Sequence, residues 1–352
     1  MNFGLIYDFR NSERWPRPAA ELYAEQLDQI AYAEQIGFDS VWITEHHFIE
    51  DGYTPSVLTV AAAIAARTSR IRIGTWVLLL PLHNALRVAE DAATVDILSG
   101  GRLDLGMGLG YRLEEFEALG VDRRERGRRM DEGVELIRRA WTEERVTFSG
   151  RFYDVRDLPV TPRPVQRPHP PIWLAARGEK PARRAARFRA PLMLVGPPAV
   201  YEVYAAALRE AGVDPAGMPV LGSRACIVSD DPERDWAAAR DHVHYTGALY
   251  GDWYREAADL PTDAERIGRA VDDPEARRAG YLIGPAAELI AGIEAWKRVV
   301  PYTHMVFTAT PAGMRTEQTN PWLERFAREV IPAFRDSGST LATEARHPAA
   351  RR

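Results

Sequence analysis

The sequence predicts an α/β fold, a (β/α)8 TIM barrel with insertions, forming one domain over residues 1–336. Three observations predict it. Short runs rich in Val, Ile, Leu and Trp alternate with longer amphipathic stretches, the pattern of parallel strands joined by crossover helices. The alternation recurs at about 30 residues per unit, the length of a right-handed strand–helix–strand crossover. Eight strand-like runs can be placed, which favours a closed barrel over an open doubly wound sheet, and 352 residues suit such a barrel with added segments.

The elements follow in order. Phe3 to Phe9 is the first strand. Residues 19–36 form a helix, with Leu22, Leu27, Ile30, Ala31 and Ala33 at helical spacing and Gly37 placed to end it. Asp39 to Thr44 is β-branched and aromatic, as a strand should be. A helix at about 56–67 leads to the strand Ile71–Leu80, and a helix at about 85–98 leads to the strand Leu103–Gly108. A charged helix spans about 124–143. Pro171–Ala176 and Pro191–Val195 are strands five and six, Val220–Val228 the seventh and His304–Thr310 the eighth, and a helix from Pro321 to Phe334 closes the chain. Two stretches interrupt this rhythm. Residues 145–170 contain a small hairpin at Ser149-Gly150. Residues 232–281 exceed one strand–helix connection and carry Tyr245, Tyr250, Trp253 and Tyr254, as helical material over the barrel mouth. Residues 337–352 read as a disordered tail rich in small and charged residues.

Composition excludes several classes. With 45 basic and 50 acidic residues the formal charge is −5, which gives no ground for nucleic acid or an anionic membrane as partner. Cys226 is the only cysteine, so neither a disulfide within the chain nor a cysteine metal cage can form. Met1 leads directly into a strand and no apolar stretch approaches the roughly 20 residues of a membrane helix. The expected location is the cytoplasm.

Barrel active sites lie at the C-terminal ends of the strands, so polar residues there become candidates. Thr44-Glu45-His46-His47-Phe48 ends the second strand. Neighbouring strand residues face opposite ways, so if the strand continues His46 and His47 cannot share one pocket; imidazole suits proton handling, and loop packing is the plain alternative. No metal site is expected, because a third ligand at suitable spacing is missing. Gly74-Thr75-Trp76-Val77 offers a flat indole at the mouth or a core tryptophan. Gly106-Met107-Gly108-Leu109-Gly110-Tyr111 is not a dinucleotide fingerprint, since Tyr111 stands where the third glycine belongs. Its glycines let backbone approach a flat ligand. Arg177-Gly178-Glu179-Lys180 opens a helix with two cations, either a phosphate cradle or a surface turn.

Together and in this order these segments resemble the bacterial luciferase-like flavin monooxygenases. Glu45-His46-His47-Phe48, the segment from Pro81 to Asp91, Ser99 to Gly106, Glu115 to Gly120, and Pro162 to Gln166 leading to Trp173 carry the resemblance. It covers about residues 1–200 and returns near Tyr281–Glu288 and the last strand. The resemblance implies a (β/α)8 barrel of the luciferase-like type that takes reduced FMN or, in one branch, the deazaflavin coenzyme F420. It implies that His46, beside the flavin ring, and Glu45 are the catalytic residues, that Trp76-Val77 lies under the ring at a non-prolyl cis peptide, and that Asn84 contacts the flavin. Thr75 and residues Gly108, Leu109, Gly110 and Tyr111 would complete the coenzyme's walls. The family pattern has a phosphate-binding arginine where this chain has Leu109, so Arg177, Gly178 and Lys180 are the phosphate candidates.

The function implied is an FMN-dependent monooxygenase that uses O2 on a small apolar or aromatic substrate, with reduced FMN supplied by a separate flavin reductase. The alternative is an F420-dependent dehydrogenase or reductase. A flavin-storing barrel and a carboxylate-pair hydrolase, with Asp8 and Glu45 as the nearest pair, are the other classes. Residues 57–66 are apolar nearly all round, as a helix covered by a second subunit should be, so a homodimer is expected.

Overall fold

The computed structural model describes residues 1–257 and 277–335. Eight parallel strands close the barrel: β1 (Asn2–Tyr7), β2 (Ser40–Ile43), β3 (Arg72–Thr75), β4 (Leu103–Met107), β7 (Ile172–Ala176), β8 (Leu192–Leu194), β9 (Val220–Ser223) and β12 (His304–Thr308). Strand β1 pairs with both β2 and β12, which closes the ring. Between them run α1 (Ala19–Ile36), α2 (Val57–Arg67), α3 (Ala85–Ser99), the short α4 (Leu113–Ala118), α5 (Arg126–Thr142), α6 (Glu179–Arg187) and α7 (Ala199–Glu210). Gly37 ends α1 in the left-handed conformation, with φ 104°.

Alternation along each strand divides the core in two. Ile6, Trp42, Trp173, Met193, Leu221 and Val306 point inward and fill the barrel. The other strand faces meet the helices in a larger apolar layer. Gly74 makes room for the inner layer: a Cβ there would lie 2.2 Å from the Trp42 ring. Any side chain at position 74 would force that indole out of place.

Three sequence expectations need correction. The third strand, expected over Ile71–Leu80, ends at Thr75, and Leu80 opens a short 3-10 turn to Leu82. The seventh strand, expected over Val220–Val228, is two strands. β9 stays in the barrel, whereas β10 (Cys226–Val228) turns out of it and pairs in parallel with β11 (Leu282–Gly284). The break falls at Ser223-Arg224-Ala225, where Ser223 is exposed and the buried run resumes at Cys226. The closing helix begins at Thr316, not at Pro321, and runs as α10 (Thr316–Arg325) through a π-type turn at Phe326–Val330 into α11 (Ile331–Arg335). Proline is favoured in a first helical turn, but here it sits inside the helix. The expected hairpin is present as β5 (Val146–Ser149) and β6 (Asp154–Leu158), closed by the Gly150 N–H to Tyr153 carbonyl bond of 2.8 Å.

Part of the long insertion is a 25-residue helix, α8 (Pro232–Glu256), started by the Asp231 side chain accepting from the Arg234 N–H. Helix α9 (Ala286–Val299) follows β11. Residues 258–276 of the insertion and the tail from 337, expected to be disordered, lie outside the described residues. Among the described residues no helix is long and apolar enough to cross a membrane.

Candidate active site

A cavity of about 990 Å³ opens at the C-terminal ends of the strands. Glu45 and His46 reach it from the end of β2, Trp76 and Val77 from β3, Gly108 to Tyr111 from β4, and Arg177, Gly178 and Lys180 from β7 and the start of α6. The structure thus brings eleven of the sequence candidates to one wall system. The Trp76–Val77 peptide is cis, at the position the resemblance marked. Leu78 donates to the Gly106 carbonyl at 2.8 Å and Gly108 donates to the Leu78 carbonyl at 2.9 Å, so the segments after β3 and β4 form one continuous floor. A Cβ on Gly108 would lie 2.4 Å from Val77 Cγ2, and glycine is what lets these segments touch.

Two candidates lie elsewhere. Thr75 is fully buried and its hydroxyl donates to the Gly106 carbonyl at 2.6 Å, tying strand to strand. Asn84 is exposed and caps α3, accepting from the Leu86 and Arg87 N–H groups at 3.0 and 3.3 Å. Neither lines the cavity.

His46 is the ordered base at the wall. Its Nδ1 lies 2.8 Å from Glu115 Oε1, and its Nε2 lies 3.3 Å from the Tyr111 hydroxyl. Glu115 comes from α4 and is fully buried. The same Oε1 accepts the His47 backbone N–H at 2.9 Å, and Arg112 Nη1 approaches it at 3.4 Å. With Glu115 as a carboxylate, Nδ1 carries the imidazole proton and Nε2 is left as the acceptor facing Tyr111. Sequence reasoning missed Glu115 as a site residue. It stands among Glu114 and Glu117 on a short acidic helix, and only burial separates it from them.

The His47 side chain, on the loop that follows β2, engages a different set of partners. Its Nε2 lies 2.7 Å from Glu45 Oε1, and His83 Nε2 lies 2.6 Å from the same oxygen. Glu45 Oε2 accepts the Leu79 N–H at 3.1 Å. Burial would raise the Glu45 carboxyl, but the adjacent His83 and the bonds from both imidazoles hold it down at about 2. His83 shifts upward: Glu45 outweighs the burial that opposes its charge. Glu45 is therefore an ionised carboxylate on the wall, with both oxygens accepting hydrogen bonds.

Helix α8 roofs this region. Trp253 packs against His46 with ring centroids 4.9 Å apart, and the Tyr53 and Tyr250 hydroxyls meet at 2.6 Å. Tyr254 lies against Tyr111 at 4.9 Å and accepts a hydrogen bond from Arg177, whose guanidinium lies 4.3 Å from its ring. Burial pushes the Tyr53 and Tyr111 phenols well above their usual range, so both remain proton donors. Arg10 anchors the roof: it pairs with Asp51 at 2.6 Å, Tyr245 donates to the same carboxylate at 2.9 Å, and the guanidinium lies 5.1 to 5.8 Å from the Tyr53, Tyr245 and Trp253 rings.

The far end of the cavity is basic. Besides Arg177 and Lys180 it is lined by Arg123, Arg124, Arg126, Arg128 and Arg184. The first turns of both α5 and α6 reach it, with Asp131, paired to Arg184 at 2.6 Å, and Glu179 among the basic groups. The sequence marked only the α6 half. The Arg123–Arg129 run reads there as the solvated face of a charged helix.

The family description of luciferase-like monooxygenases matches residues 1–303. The chain belongs to the luciferase-like monooxygenase family. Members of the family are oxidoreductases, and this chain is one of them. It is 27% identical over 333 residues to the oxygenase component of the flavin-dependent trigonelline monooxygenase of Acinetobacter baylyi, covering 90% of this chain and 91% of that one. It is 30% identical over 335 residues to the F420-dependent glucose-6-phosphate dehydrogenase of Kineococcus radiotolerans, covering 91% and 96%. Among solved structures it resembles monooxygenase RslO1 from Streptomyces bottropensis, with a TM-score of 0.79 and 28% identity over 95% of this chain and 100% of that one. Luciferase-like relatives thus include both flavin-dependent monooxygenases and F420-dependent dehydrogenases.

Proposed function

We propose that this luciferase-like protein is a monooxygenase that takes reduced FMN from a separate flavin reductase and uses O2 to oxidise a small apolar or aromatic molecule. One observation carries the reading: an ordered imidazole, His46, stands at the edge of a flat-floored cavity whose other end is cationic.

The residues fit a flavin. The floor of Trp76-Val77 and Gly108-Leu109-Gly110 is a plane for a fused ring, opened by the absence of a side chain at Gly108. The basic end would hold the phosphate through Lys180, Arg177 and the N–H groups that open α5 and α6. The bound flavin supplies electrons and the site of oxygen activation. His46 Nε2 holds or releases a proton at the ring's edge, with Glu115 fixing the imidazole through Nδ1. Tyr111 presents a protonated hydroxyl to the same nitrogen. Tyr250 and Tyr254 cover the cavity, exclude water and offer aromatic faces to the substrate, with Trp253 packed on His46 behind them.

The F420-dependent reading is kept because a relative of that kind is matched over 91% of this chain. A homodimer belongs to the proposal as well: Ile97 and Leu98 on α3 are 42% and 57% exposed, and Leu58 and Ala62 on α2 are half-exposed.

The test is to mix the protein anaerobically with each reduced coenzyme, measure binding, and then admit O2. Reduced FMN is expected to bind more tightly than reduced F420, and its reoxidation rate should change with protein concentration until saturation. Tighter binding of reduced F420, with FMN reoxidation indifferent to the protein, would give the dehydrogenase reading instead.

A further inference from the structure

We propose that Glu45, His47 and His83 form a binding site for a divalent transition-metal ion of the zinc, cobalt and nickel type, behind the cavity wall and apart from His46. The three donor atoms lie within 4.8 Å of one another. Both imidazoles aim Nε2 at a single carboxylate oxygen, at 2.7 and 2.6 Å. Their rings are 6.0 Å apart and inclined by 54°, so they converge from two sides and leave a third side open.

The donor set selects the ion. Two imidazoles and one carboxylate suit zinc and its first-row neighbours, whereas calcium and magnesium take oxygen ligands. Donor atoms around tetrahedral zinc, at about 2.0–2.1 Å from the metal, stand roughly 3.4 Å apart. Each ring must therefore withdraw by less than about 1 Å from the carboxylate oxygen, and the two nitrogens, now within 4.8 Å, must reach the same spacing from each other, a movement for χ rotation of both rings. The ligand-bearing backbone is already held: Leu79 donates to the second Glu45 oxygen, the His47 N–H donates to Glu115, and the His83 N–H donates to the Leu80 carbonyl at 3.0 Å. The His47 and His83 side chains are 14% and 30% exposed, which gives the ion a path and room for water as the remaining ligand. Uptake exchanges any Nε2 protons for the cation and leaves both imidazoles neutral.

The sequence concealed this site because its third ligand is separated from Glu45-x-His47 by the whole of α2 and β3. An occupied site would brace the segment carrying His46 against the turn at 80–83.

The test uses the full chain, stripped with chelator and titrated with Co²⁺ followed by visible absorption, and with Zn²⁺ by calorimetry. One saturable site is expected, with Zn²⁺ displacing Co²⁺ and raising the melting temperature. His47→Ala and His83→Ala should each weaken binding by about 10–100-fold or more. His169→Ala, beside Trp141 and away from the cavity, should not. If either ligand variant fails to fold, wild-type crystals soaked in Zn²⁺ supply the readout, with an anomalous peak expected among the three side chains. No saturable binding by the wild type, binding undiminished in folded ligand variants, or a peak elsewhere overturns the assignment and leaves these residues as an ion-paired cluster.

Discussion

Replacing His46 with alanine is expected to lower turnover by about 10²–10⁴-fold, the usual contribution of a positioned general acid–base group. FMN affinity should change little, because the flat floor and the basic end supply the binding. The imidazole is almost wholly enclosed, yet it has two defined neighbours: Glu115 on Nδ1 and the Tyr111 hydroxyl on Nε2. Among the described residues, alanine removes the only imidazole on the cavity wall, and both oxygens of Glu45 already accept hydrogen bonds. Stopped-flow turnover with reduced FMN, alongside FMN titration by fluorescence, checks the split. Unchanged turnover would remove His46 from the chemistry.

The second large effect is expected at Glu115. Glu115→Gln keeps the shape but removes the charge that supports the imidazole, and about 10–100-fold of turnover should go with it. Coenzyme affinity should stay near the wild-type value. Glu115→Ala strips a buried acceptor from His46, from the His47 N–H and from Arg112, so it should cost about 3–5 kcal/mol of stability. The glutamine variant is therefore the informative one. If Glu115 acts through His46, the double variant Glu115→Gln/His46→Ala should turn over no more slowly than His46→Ala alone. Additive losses would mean that Glu115 has a separate task.

The barrel was legible because its strands differ from its helices in period and its loops recur at a regular length. Ile6, Trp42 and Val306 follow the alternation that a barrel interior imposes. The bend that splits β9 from β10 is marked only by Ser223-Arg224, a polar break too short to tell a strand's end from an inward-facing polar residue. His46, Trp76, Val77 and Tyr111 could be placed because each lies within a few residues of a strand end, where the fold itself directs side chains to the mouth. Thr75 and Asn84 lie just as near, and were lost to a strand-to-strand bond and a helix cap that position in the sequence does not announce. Glu115, His83, Arg126 and Arg128 were missed for the converse reason. Each comes from a loop or helix whose path over the mouth is a tertiary fact, and each looks like ordinary surface polarity when read along the chain.

The account rests on the cavity at the strand ends gripping a flavin. A crystal of the protein soaked with oxidised FMN tests this most directly. The ring is expected on the Trp76-Val77 and Gly108–Gly110 floor with its edge toward His46, and the phosphate between the first turns of α5 and α6 near Lys180. An empty cavity at saturating FMN, or a flavin bound with its phosphate toward His46, would contradict it.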